Sequence, residues 1–270
     1  MFICPKCRGK LNISESGAAV CEMRHSFDRS REGYYNLLLG SGGGQHGDNA
    51  EMINARREFL SRGYYQPLAE RIAELASEFM KEPCALLDAG CGEGYYTEML
   101  VNAYSAERVT PDLYAFDISK SAVKRAVKRI PEGFFAVASS YAIPMPDSSV
   151  DLLLNTFSPL ALNESARVLK QGGIFIMAIP AEDHLFELKA KIYDNPYKNE
   201  VADTSLCGFT LLLAEPVRFS MHFAEPEDIR SLFMMTPYAY RTGASGRARV
   251  AELEKLDCTA DFLILVYKKD

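Results

Sequence analysis

The sequence predicts an α/β protein: a parallel sheet covered by helices, preceded by a small cysteine-bearing module of a different kind. Three observations predict it. From Cys84 onward, apolar runs of strand length alternate with helix-period segments, the rhythm of strand–helix–strand units. The first run passes into a glycine-rich turn, LLDAGCGEGYY (Leu86–Tyr96), where a buried strand gives way to a helix N-terminus. Ahead of both, residues 1–36 carry two pairs of metal-ligand residue types around a hairpin-length gap.

Composition bounds what such a chain can be. Its 270 residues suffice for one or two domains with a real core, and 48% hydrophobic with 24% charged residues is ordinary for a globular protein. A net charge of −6 confines any nucleic-acid site to a local basic patch. No apolar run approaches the ~18 residues a membrane helix needs. The start, MFICPKC, lacks the basic-then-apolar shape of a signal peptide. The seven cysteines are an odd number, and Cys84, Cys91, Cys207 and Cys258 are scattered through apolar segments. A reducing, cytoplasmic setting is expected.

In the first module Cys4 and Cys7 form a C-P-K-C knuckle, thirteen residues separate Cys7 from Cys21, and His25 follows after three more. Two close pairs joined by a hairpin suit tetrahedral zinc, and metal supplies folding free energy that so small a segment cannot obtain from its core. Two disulfides are the competing reading, and the histidine in fourth place and the reducing setting count against it. Lys6, Arg8, Lys10, Arg24, Arg29 and Arg31 gather around the knuckles, with Phe27, Tyr34 and Tyr35 among them. Interleaved Arg and aromatics can stack on bases and grip phosphate, while a solvated surface over core aromatics is equally compatible. Residues 37–50, with GSGGGQHGDN (Gly40–Asn49) at their centre, read as a flexible linker in which His46 is solvated.

Residues 51–270 form the second domain. Ala50–Lys81 is helical, with Leu68, Ile72, Leu75 and Phe79 as an apolar stripe broken from the preceding part by RGYYQPL. Strand one ends at Asp88. Strand two, LYAFD, ends at Asp117, and Ser119 N-caps a helix whose buried side is Ala122, Val123, Ala126, Val127 and Ile130. The outer side of that helix is basic and is read as solvated. Strand three (FFAVA) leads to Ser139 and Ser140, strand four (VDLLLN) ends at Asn155, and strand five (IFIMAI) stops at Pro180. Residues 181–215 have the length of a lid-like insertion, beginning with a helix over Glu182–Tyr193. Two late strands, VRFSMHF and DFLILVYKK, complete the sheet around short helices.

The turn after strand one is not a G-x-G-x-x-G fingerprint, since its third glycine comes two residues after the second, and it lacks the Gly-Lys-Ser/Thr of a phosphate loop. As D-x-G-x-G-x-G after a strand it resembles the S-adenosylmethionine loop of Rossmann-like methyltransferases. Its glycines permit positive φ and let a ligand lie on bare backbone. Ligands of such sheets bind beyond the strand ends, where Gly90–Gly94, Asp117, Ser140 and Asn155 all fall. Asp117, 25 residues after Gly92, suits the two hydroxyls of a ribose.

Taken together, the knuckles, REGYYNLL, AEMINARREFLSRGYYQPL, LDAGCGEGYYT, HLFELKAKIY and MTPYAYR resemble the bacterial 23S ribosomal RNA guanine-N(1) methyltransferases over nearly the whole chain. The resemblance implies a zinc ribbon fused to a class I S-adenosylmethionine-dependent domain, a homodimer, and a target guanine in a hairpin loop of 23S ribosomal RNA. It assigns Cys4, Cys7, Cys21 and His25 to zinc, and Tyr65, Gly92, Glu93 and His184 to the cofactor, which the strand-end argument extends to Asp88, Gly90, Asp117, Ser140 and Asn155. It names no general base. Tyr64 and the ribbon aromatics are candidates for stacking on the target base. A small-molecule methyltransferase with a merely structural ribbon is the alternative.

Overall fold

The computed structural model describes residues 2–40, 49–80, 84–201 and 203–270. Most of the predicted linker, 41–48 with His46, lies outside the described residues. The N-terminal module contains three two-residue strands, β1 (Asn12–Ile13), β2 (Ala19–Val20) and β3 (Ser26–Phe27), paired antiparallel in chain order. Strands this short bury little surface, so their arrangement depends on the knuckles at either end. A further strand, β4 (Tyr35–Asn36), leads out of the module.

Helix α1 (Ala50–Ser61) starts where the Asn49 side chain accepts the Met52 N–H at 2.9 Å, satisfying one of the unpaired donors of the first turn. Helix α2 (Gln66–Phe79) places Pro67 in its first turn, where a missing N–H is harmless, and buries Leu68, Ile72 and Leu75. The alternating part follows: β5 (Ala85–Ala89), α3 (Tyr95–Ala106), β6 (Asp112–Asp117), α4 (Lys120–Arg129), β7 (Phe134–Val137), β8 (Val150–Thr156), α5 (Leu162–Val168) and β9 (Leu169–Pro180). Then come α6 (Phe186–Ile192), β10 (Phe209–Phe223), α7 (Pro226–Met234), α8 (Tyr238–Arg241), α9 (Ala244–Ala251) and β11 (Leu256–Lys269).

Among the described residues these strands form an eight-stranded sheet in the order β10-β11-β9-β8-β5-β6-β7-β4. It is parallel from β9 to β4, and β11 and β10 are added antiparallel. The order reverses between β5 and β8, which makes their carboxyl ends the place where a crevice opens. Alternation along β5 sends Leu86 and Leu87 to opposite faces. Leu86 joins the core with Leu68 and Ile72 of α2, whereas Leu87 joins Phe2 and Leu11 of the N-terminal module. The module therefore covers one face of the sheet. It is held there by the Phe2 ring edge-on to Tyr114 at 5.6 Å, an Ile3 N–H donating to Pro144 O at 2.8 Å, and β4 pairing with β7.

Several elements differ from the expectations. Strand β10 begins at Phe209, inside the stretch read as an insertion, because Phe209 to Ala214 find partners along β11 from Lys269 to Leu265. Helix α6 begins at Phe186, after a turn in which Leu185 takes φ +57°. The basic side of α4 does not simply face water: Lys124 pairs with Glu32 of the module at 2.5 Å, and Arg125 donates to Asn54 of α1.

Candidate functional site

The four predicted metal ligands converge. Cys4 Sγ and Cys21 Sγ each lie 3.4 Å from His25 Nδ1, Cys7 Sγ is 3.6 Å from Cys21 Sγ, and all four atoms lie within 4.8 Å of one another. A zinc tetrahedron with ordinary bond lengths has edges of about 3.5–3.8 Å. The knuckles are pre-shaped by backbone. Arg8 and Arg24 adopt φ of +60° and +61°, and their N–H groups donate to Cys4 O (2.8 Å) and Cys21 O (2.9 Å). The donor set fits zinc. Around it, Lys6, Arg8, Lys10, Arg24, Arg29 and Arg31 are exposed, but Tyr34 and Tyr35 are core residues at 3% and 7% exposure. They cannot stack on a base, which corrects the expectation for those two rings.

The second site lies at the β5–β8 switch point. Asp88, the last acid of β5, is buried, and its Oδ2 accepts the Thr97 hydroxyl at 2.5 Å. Its Oδ1 has no hydrogen-bond partner. Burial, with help from the nearby Asp117 charge and against the Thr97 bond, pushes the Asp88 carboxyl up to about 7. Beyond it the loop is anchored by Gly90 and Cys91 N–H groups, which both donate to Phe116 O, at 2.9 and 3.0 Å. Gly90 is required by space as well as by its φ of +88°, since a Cβ there would sit 2.1 Å from Ser158 Oγ. Gly92, at φ +55°, faces open space, as a backbone that a ligand approaches should. Asp117 closes the turn from β6: its two oxygens accept the N–H of Gly92 (3.0 Å) and of Ser119 (2.7 Å).

Glu93 is buried with its carboxylate turned to Arg129 of α4 at 3.4 Å. Desolvation raises its carboxyl while Arg129, Arg57, Arg125 and Arg56 pull it down, with the net direction upward. Tyr65 and His184 are brought together from 119 residues apart, with the Tyr65 hydroxyl 3.2 Å from His184 Nε2. His184 Nδ1 accepts the Asp261 N–H at 3.3 Å, so the ring proton sits on Nε2 and is donated to Tyr65. Burial, with the Lys189 charge adding, pushes the His184 imidazole down to about 3, so it is neutral. Asn155 is buried, and its amide donates to Pro159 O at 3.4 Å, holding the turn that follows β8. Ser140 sits half-buried in the turn after β7.

Tyr64 is half-buried. Its ring packs against Phe59 (5.0 Å) and Phe223 (4.5 Å), and its hydroxyl donates to Asp228 at 2.6 Å, so the expected stacking role is replaced by a packing one. Two residues on the crevice escape the sequence reading. Ile118, directly after Asp117, is 36% exposed at a strand end, and Phe157, directly after β8, is 42% exposed. An apolar residue following a strand-end acid is a readable signal for the first. The second needs the turn geometry.

The buried unpaired oxygen of Asp88, the open backbone at Gly92 and the adjacent Asp117 carboxylate fit a cofactor with a cationic amino-acid end and a ribose. Comparisons with known proteins agree. Residues 87–177 match a family model described as a methyltransferase domain, and residues 2–39 match one described as RlmA, N-terminal, a zinc ribbon. A Bacillus halodurans C-125 chain, BH2331, crystallised as a candidate methyltransferase, superposes with a TM-score of 0.50 at 15% identity over 74% of this chain and 98% of its own; it shows the fold. The Streptomyces fradiae 23S rRNA (guanine(748)-N(1))-methyltransferase is 34% identical over 68% of this chain and 65% of its own. Bacillus subtilis (strain 168) YxjB, named as a candidate 23S rRNA (guanine-N(1)-)-methyltransferase, is 31% identical over 100% of this chain and 97% of its own. Zinc ribbon, methyltransferase sheet and full-length similarity together place this chain in the family of S-adenosylmethionine-dependent 23S rRNA (guanine-N1) methyltransferases.

Proposed function

We propose that this protein transfers the methyl group of S-adenosylmethionine to N1 of a guanine in a hairpin loop of 23S ribosomal RNA, acting as a cytoplasmic homodimer. The observation that carries the RNA reading over a small-molecule one is the full-length similarity, which takes in the ribbon as well as the sheet. Among the described residues no helix is long and apolar enough to cross a membrane. We also read residues 1–36 as the zinc-binding domain, 37–50 as a linker and 51–270 as the methyltransferase domain, with a lid-like insertion at about 181–215 whose part ahead of β10 covers the cofactor face.

When bound, S-adenosylmethionine supplies a sulfonium methyl, a strong electrophile. The chain's work is chiefly placement. The Asp117 carboxylate, already aligned by two N–H donors, takes the ribose hydroxyls, and Ile118 offers apolar surface to the adenine. Gly92 gives bare backbone to the methionine end, Gly90 makes room for Ser158 against the loop rather than for a ligand, and Glu93, whose side chain is engaged with Arg129, contributes its N–H. Ser140 and Asn155 shape neighbouring strand ends. Tyr65, held by His184, borders the same end. Guanine N1 must lose its proton on transfer, and His184 is not the base. Its Nδ1 lone pair is engaged and its Nε2 is protonated.

The test is methyl transfer from labelled S-adenosylmethionine to unmodified large-subunit ribosomal RNA, with mass-spectrometric mapping of the product. A 1-methylguanosine in one hairpin loop is expected. Cofactor binding without incorporation into RNA would overturn the reading in favour of a small-molecule acceptor.

A further inference from the structure

Phe157 combines three properties that the core does not explain. It is the first residue after β8, whose carboxyl end adjoins that of β5 at the crevice. Its φ is +56°, a left-handed backbone that a bulky residue adopts only when its surroundings impose it. The residue remains 42% exposed, although an aromatic side chain normally repays its desolvation by burial.

The turn explains how this is achieved. The Phe157 N–H donates to Ala178 O of β9 at 3.2 Å, extending the sheet by one bond. The reversed φ then swings the side chain out of the strand's alternation, while Ser158 drops onto Gly90, too close to admit a Cβ there. The ring is thus held one residue from the cofactor loop. Phe262 (5.4 Å), Tyr96 (6.0 Å) and Tyr65 (6.4 Å) flank it at tilts of 46°, 69° and 52°, none of them stacked flat on it. With no neighbour stacked flat on it and the residue partly open to solvent, the ring can receive a planar partner. It also bears no polar atom that would demand a specific edge.

Resting on the methyl-transfer reading above, we propose that Phe157 is the platform on which the target guanine stacks when it leaves its loop. An extruded base must exchange its neighbours in the nucleic-acid stack for protein surface, and an apolar ring beside the methyl donor offers that surface where N1 has to arrive. The cofactor's own purine is served on the other side of the loop, at Asp117 and Ile118, so the guanine is the ring that Phe157 receives. The left-handed turn is the device that presents it.

Phe157→Leu keeps bulk and apolarity but removes the planar face, and Phe157→Tyr keeps the face. Three measurements decide: S-adenosylhomocysteine affinity by calorimetry, single-turnover methylation against RNA concentration at saturating cofactor, and fluorescence of 2-aminopurine placed at the mapped guanine. We expect S-adenosylhomocysteine affinity within about two-fold of wild type in both variants. Phe157→Leu should need about ten-fold more RNA for half-saturation and lose the quenching of 2-aminopurine, whereas Phe157→Tyr should restore both. Unchanged RNA dependence and quenching in Phe157→Leu would overturn the stacking role alone, as would an equal loss in Phe157→Tyr. Wild-type protein that binds S-adenosylhomocysteine yet methylates no RNA would overturn the function and this role together.

Discussion

Asp88 shows how a single side chain joins the loop's chemistry to its stability. Spacing alone marks it as the acid ending strand one, but its ionisation is set by burial, which lifts the carboxyl from an ordinary value of 3.8 to about 7. Unfolded chain gives up this proton near pH 4, whereas the folded protein keeps it until pH nears 7. The contribution to stability is therefore complete below about pH 4 and is lost as pH rises toward 7. Asp88→Asn cannot ionise and retains an acceptor for Thr97. Without ligand it should gain on wild type by a few kcal/mol between pH 4 and 7 and then level off. Thermal melts of both proteins across that range check this, and a gap independent of pH would mean the carboxyl is already ionised in the fold. The Tyr65–His184 pair makes the complementary point. The family resemblance points to both residues, but only their meeting, with the Asp261 N–H on Nδ1, assigns the ring proton to Nε2 and removes His184 from the candidates for base.

The ribbon and the sheet depend on different forces. Two-residue strands cannot hold the first module, so metal at Cys4, Cys7, Cys21 and His25 must, whereas β5, β6 and β8 are buried on both faces and hold without it. Chelation should release one zinc per chain, remove amide-exchange protection from residues 2–37 and cut RNA methylation at least ten-fold. S-Adenosylhomocysteine affinity should stay within about two-fold, because its loop is anchored to β6 through Phe116 and Asp117. Exchange measured with and without chelator, beside calorimetry, tests the separation; a matching collapse of cofactor affinity would show that the two elements are one folding unit. Packing of Phe2 on Tyr114 and the β4–β7 pairing predict some loss of melting temperature as well. The ladder of strands and helices is readable from apolar periodicity. The extension of β10 back to Phe209 is not, since an edge strand exposed on one side carries a weaker pattern.

At the scale of the molecule, a net charge of −6 surrounds a ribbon that keeps its basic residues exposed. RNA should therefore be held locally at the ribbon, and affinity should fall with salt. Replacing both Arg24 and Arg31 with alanine should weaken RNA binding and flatten the logarithmic salt slope by about 0.7 for each phosphate that is no longer neutralised. Cofactor affinity should be unchanged. Binding titrations over a range of salt concentrations measure it, and a slope equal to wild type would place the RNA elsewhere. The sequence by itself determined the Cys4–Cys7–Cys21–His25 cluster, the glycine loop after β5, the strand-end acids and the parallel core. Each is encoded by neighbours a few residues apart, whose spacing dictates knuckle, turn or face. Tertiary structure alone decided which aromatics are free. Tyr34, Tyr35 and Tyr64 have the composition of a base-binding surface and are spent on packing, while Phe157, in a turn that no motif marks, is left open. Exposure depends on what distant elements bring against a side chain, here Phe223 from β10, Phe262 from β11 and β7 beside β4, and no local spacing carries that information.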